Sequence, residues 1–122
     1  MIELLAGFPD GVLGFAYKGQ VTKADYETVV IPAVVKALET RKSLRLYFSV
    51  KSDFSGIDAG AEWEDLKMGI AHLGHWERIA VVTDLHWIEQ TMRFINLLLP
   101  CPMKTFLTSE EAQARVWITT AS

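Results

Sequence analysis

Apolar and polar positions follow two rhythms along this chain, and the switches between them mark its elements. Ile2 to Ala6 is a short apolar run ending in Gly7-Phe8-Pro9-Asp10-Gly11, where Pro, Asp and Gly supply turn geometry. In Val12 to Tyr17 the large side chains Leu13, Phe15 and Tyr17 recur at every second position, which predicts a second strand, a hairpin, and that face toward the core. Thr22-Lys23-Ala24-Asp25 carries a capping hydroxyl and an early acid, the start of a helix. Tyr26, Val29, Val30, Ala33, Ala37 and Leu38 continue it as one stripe. Pro32 falls inside that stripe; it removes a backbone donor and predicts a bend.

Leu44 to Val50 reads as a third strand, and Lys51 to Gly60 as a polar loop. Trp63, Leu66, Ile70 and Leu73 then recur at helical spacing and place a second helix over about Ala61 to Leu73. Arg78 to Asp84 is a β-rich apolar run suited to a parallel strand buried on both faces. Trp87, Ile88, Thr91, Met92, Ile95 and Leu98 return to helical spacing, ended by Pro100 and Pro102. Met103 to Leu107 gives a fifth strand, and Thr108 with Glu111 reads as a capping box before a last helix running to about Ile118. The order β-β-α-β-α-β-α-β-α predicts one α/β domain over 1–122, with later strands parallel and linked by right-handed crossovers.

Composition narrows this picture. The 122 residues are 50% hydrophobic and 22% charged with a net charge of -3, which excludes a disordered polyelectrolyte. Twelve basic residues against fifteen acidic ones leave no electrostatic footprint for nucleic acid. The N-terminal stretch lacks the layout of a secretory signal, and the longest apolar run, Val29 to Val35, is far too short to span a bilayer. A single cysteine, Cys101, allows no internal disulfide and suits a reducing cytoplasm.

Motifs for chemistry are sparse. His72 and His75 are spaced to share a metal ion, but the sequence specifies no third ligand; His86 falls at the mouth of the expected parallel strand. There is no G-x-S-x-G elbow and no Walker pattern, and Cys101 is flanked by prolines. The expectation is therefore a protein that is not an enzyme and needs no cofactor or metal. Ser55, in a loop between a strand and a helix, is a candidate phosphorylation site, because a helix start favours added negative charge.

The strongest signal is a surplus of apolar bulk. Met68, Trp76, Trp87, Phe94, Leu97, Leu98 and Leu99 add to the second-helix stripe more large side chains than one core-facing stripe per helix can hold. Packing between the helices, an apolar pocket, a partner surface or shallow insertion into a membrane interface would each absorb it. Trp63, Leu66, Ile70, Leu73, Trp87 and Phe94 are the expected apolar lining.

Several motifs occur in order along nearly the whole chain: the hairpin, Thr22-x-x-Asp25-Tyr26, Pro32, Gly56 and Ala61-x-Trp63-x-Asp65-Leu66-Lys67. They continue with Arg78-Ile79-Ala80-Val81-Val82-x-Asp84-x-x-Trp87, Phe106, Glu111-Ala112 and Trp117. This pattern resembles the SpoIIAA-like family, bacterial single-domain proteins of STAS/Sec14 type. The resemblance implies a STAS-like fold: a mixed, mostly parallel five-stranded sheet with an N-terminal hairpin and about four helices. It also implies two roles. One is binding a nonpolar or lipid-like ligand, with peripheral contact at the inner membrane. The other is a regulatory protein contact like that of anti-anti-sigma factors, whose phosphorylated Asp-Ser-Ser-Gly stretch is echoed by Asp53-Phe54-Ser55-Gly56. A homodimer would use the same apolar surplus as its interface.

Overall fold

The computed structural model describes residues 1–63, 67, 73–99 and 101–120, with the backbone alone at Leu73. In chain order its elements begin with β1 (Ile2–Leu5), β2 (Val12–Tyr17), β3 (Gln20–Val21) and α1 (Lys23–Asp25). A π-helical segment (Tyr26–Val30), α2 (Ile31–Leu38), β4 (Leu44–Val50) and β5 (Gly56–Ile57) come next. Residues 59–63 open helix α3. The chain continues through β6 (Trp76–Thr83), α4 (His86–Asn96), β7 (Met103–Phe106) and α5 (Glu111–Thr119).

The main sheet has the order β1-β2-β4-β6-β7. β1 and β2 form the antiparallel hairpin, with Ile2 opposite Tyr17 and Leu5 opposite Gly14. Its turn uses positive φ at Gly7 (92°) and Gly11 (89°), angles that side chains beyond glycine rarely adopt. Every later pairing is parallel. Because each strand joins beside its predecessor, right-handed crossovers place the intervening helices on one face. The core of that face joins Phe15, Tyr17, Leu46, Ile79 and Val81 of the sheet to Tyr26, Val30, Val34, Ala61 and Ile88 of the helical segments. The other face is covered by α5, which comes after the last strand; there Ala114 and Ile118 pack on Tyr47, Ala80 and Val82. β2 is therefore enclosed on both faces, so Val12 is core as well as Phe15, beyond the single face its alternation suggested.

The first helix starts as expected. Thr22 Oγ1 accepts the Asp25 N–H at 3.3 Å, and the Asp25 carboxylate accepts the Thr22 N–H at 2.8 Å. Pro32 follows a widened turn. The Ile31 N–H reaches back to the carbonyl of Tyr26, a five-residue bond that widens the turn ahead of the proline. The wider turn rotates the remainder of the helix, so Val34 enters the core while Ala33 and Ala37 are only partly buried.

Three further differences from the sequence pattern have local causes. The expected loop after β4 contains β5, which pairs in parallel with β3; two-residue strands leave no periodicity to read. Trp76 opens β6 and is buried in the core, so it does not join the surplus between the second and third helices. The expected capping box at Thr108 is displaced. Glu110 Oε1 accepts the Leu107 N–H at 2.8 Å, Asp84 Oδ1 accepts the Thr108 N–H at 2.9 Å, and a 3₁₀ turn (Thr108–Glu110) precedes α5.

Candidate functional site

α4 carries two apolar stripes side by side. Ile88 is buried, and Met92 and Ile95 pack against the core together with Leu99 beyond the helix end, which accounts for its inward face. About one helical step around the axis lie Trp87 and Phe94, 50% and 67% exposed, and the turn that follows the helix adds Leu97 and Leu98, 81% and 72% exposed. A seven-residue separation returns nearly to the same side of a helix, so Trp87 and Phe94 share a face about 10 Å apart along the axis. On α3, Trp63 is 59% exposed, with the Lys67 ammonium 6.0 Å from its ring centre. Arg93 donates to Glu89 at 2.7 Å along α4.

Of the expected lining, Trp63, Trp87 and Phe94 thus lie open at the surface; Leu66, Ile70 and the side chain of Leu73 lie outside the described residues. Trp87 is anchored from below. Its ring stacks on Phe54 with centres 5.8 Å apart and planes 18° from parallel. Phe54 is buried and meets Tyr17 at 6.3 Å, whose hydroxyl lies 2.9 Å from that of Tyr26. An aromatic chain therefore connects the core to the exposed face. Phe54 was missed in the sequence pattern; its only signal is an aromatic residue inside an otherwise polar loop.

The other candidates do not converge. His72 lies outside the described residues. His75 Nδ1 sits 2.6 Å from the Lys42 carbonyl, and that nitrogen must carry the proton to donate there. His86 is mostly exposed, 3.1 Å from the Gln90 amide nitrogen and 3.6 Å from Glu89. Among the described residues no group of three or more His, Cys, Asp or Glu could hold a metal ion. Cys101 is buried, and burial pushes its thiol upward, away from thiolate chemistry. Ser55 is exposed, donating its N–H to the Gly19 carbonyl at 2.9 Å and its hydroxyl to Gln20 Oε1 at 3.3 Å. The start of α3 is capped by Asp58, whose Oδ1 accepts the Ala61 N–H at 2.9 Å, so the carboxylate already occupies the place expected to favour a phosphate.

Two charged groupings are structural. Arg45 donates to Glu77 at 2.8 Å and to the carbonyls of Ile118 and Thr120 at 3.0 and 2.6 Å. Arg78 donates to the Trp117 carbonyl at 2.8 Å. Both cations thereby satisfy the carbonyl end of α5. Glu77 also accepts the Ser43 hydroxyl at 3.0 Å, and the bonds from Arg45 first and Ser43 second hold its carboxyl below its ordinary value.

A family model for SpoIIAA-like proteins matches residues 12–119. The chain belongs to the SpoIIAA-like family. A crystal structure of an uncharacterized protein with a SpoIIAA-like fold from Shewanella loihica PV-4 superposes with a TM-score of 0.77 at 26% identity, covering 97% of this chain and 92% of that one. No curated protein matches the chain. The SpoIIAA-like fold expected from the sequence, a mixed five-stranded sheet with an N-terminal hairpin and four helices, is the fold observed, with α1, the π-helical segment and α2 forming the first helix.

Proposed function

We propose that this SpoIIAA-like protein is a non-enzymatic binding protein whose α3 and α4 face engages a nonpolar, lipid-like ligand in peripheral contact with a membrane surface. The observation that carries the reading is the exposed apolar surface of α4 and the turn that follows it. Its inward stripe already completes the core, so Phe94, Leu97 and Leu98 can leave water only by meeting something outside the described structure. Fully burying such side chains is worth about 1.5–3 kcal/mol each. Trp63 and Trp87 add rings with an apolar body and a polar N–H, a combination suited to an interface between oil and water. Contact would be peripheral, since among the described residues no helix is long and apolar enough to cross a membrane.

Co-sedimentation with phosphatidylethanolamine and phosphatidylglycerol vesicles, together with native mass spectrometry and organic extraction of gently purified protein, tests this reading. Binding or a co-purified lipid is expected, with binding reduced by Trp87→Ala and Phe94→Ser. A clean unliganded mass with no vesicle binding would overturn it.

The SpoIIAA-like, STAS-type fold also favours a second reading, a regulatory contact with another protein. Ser55 is exposed beside buried Phe54, so a phosphate there would act next to the ring supporting Trp87. This reading expects a partner in pull-downs that Ser55→Glu weakens; an unchanged partner set counts against it.

A further inference from the structure

The β1–β2 turn and the C-terminal half of α2 border an open cleft of about 900 Å³, within the size range of small-molecule sites. Leu4, Leu13, Ala33 and Ala37 supply its apolar lining, and Lys36 and Arg41 its cations. Leu13, Ala33 and Ala37 are only partly buried and Leu4 is exposed, so hydrocarbon continuous with the core faces this opening. Arg41 is seated by a glycine. A Cβ on Gly11 would lie 2.8 Å from Arg41 Nη1 and 3.1 Å from its Cζ, so the turn has no side chain where the guanidinium rests against it. The Gly11 carbonyl in turn accepts the Arg45 N–H at 2.8 Å, tying that turn to β4.

Neither Arg41 nor Lys36 has a side-chain hydrogen bond or ion pair among the described residues. Asp10 and Glu39 complete the charged rim and leave it formally neutral, so selectivity for an anion must come from direct contact with the guanidinium rather than from a long-range field. We infer that the cleft binds an amphipathic carboxylate. Its chain lies along Leu4, Leu13, Ala33 and Ala37, and its head makes a forked contact with Arg41, with Lys36 as the second donor. This site shares no residue with the face of Trp63, Trp87 and Phe94 and does not rest on that reading.

Amide NMR of the full chain titrated with decanoate below micelle formation tests it, with decyltrimethylammonium as the same chain bearing the opposite head. Decanoate should give saturable shifts confined to residues 4–14 and 33–41, and decyltrimethylammonium should bind more weakly there. Arg41→Met should weaken decanoate about tenfold to a hundredfold, as loss of a charge-assisted contact does, while the folded spectrum persists. Thr40→Trp, at an exposed position of the lining, should block binding by bulk, whereas Trp87→Ala and Phe94→Ser should leave it unchanged. Shifts mapping to 63–98, equal binding of both heads, or no saturable shift would overturn the inference.

Discussion

The hydroxyl of Tyr47 is buried under α5 and makes no hydrogen bond of good geometry among the described residues, although the Glu111 and Arg115 side chains lie close enough to act on it. Burial, reinforced by the charge of Glu111 and opposed by that of Arg115, pushes its pKa up to about 12. The ring itself is well held, 4.9 Å from Phe8 and 5.4 Å beneath the Arg115 guanidinium. Tyr47→Phe should therefore keep or raise stability, by up to about 1 kcal/mol, in urea unfolding; a clear loss would mean that the hydroxyl is satisfied in solution. Glu77 works in the opposite sense. Its folded carboxyl is depressed by Arg45 and Ser43, so its contribution is present above the ordinary glutamate value and is lost as pH falls through the depressed one. Glu77→Gln should flatten that acidic limb of a stability-against-pH curve, modestly because the side chain is partly solvated. A limb of unchanged steepness would assign it to other carboxylates.

At the level of elements, the helix after Thr22 shows how one residue changes the register of its neighbours. Its start was legible because capping chemistry is local: Thr22 and Asp25 satisfy each other's orphan groups within four residues. Its inward face was only partly legible. A regular helix places Ala33 and Ala37 on the stripe of Tyr26, but the π-helical segment before Pro32 turns Val34 inward instead. Val34→Ala should accordingly cost about 2 kcal/mol in denaturant unfolding, and Val35→Ala, at an exposed position, should cost little. Equal costs would contradict the widened turn. β3 and β5 were illegible for a related reason, since each exists only through its partner.

Across the whole molecule, the sheet order arises from strand succession and crossover handedness, and the covering of its second face depends on α5. The apolar surplus divides in the same way. Trp76 belongs to the core, whereas Trp63, Trp87, Phe94, Leu97 and Leu98 lie outside it. Replacing Phe94 and Leu97 together by Ser should therefore leave thermal stability nearly unchanged, while Ile88→Ala lowers it by about 2–4 kcal/mol; a large loss from the first pair would place those side chains in packing. By itself the sequence determined the hairpin, the succession of the main-sheet strands, the first helix's cap and the presence of excess apolar bulk, because these are written in local spacing and composition. Tertiary structure alone decided which tryptophan is core, how Pro32 is accommodated, that Phe54 supports Trp87, and that Gly11 and Arg41 meet in a cleft. Each of these depends on segments far apart in the chain becoming neighbours, and a periodicity carries no information about which neighbour arrives.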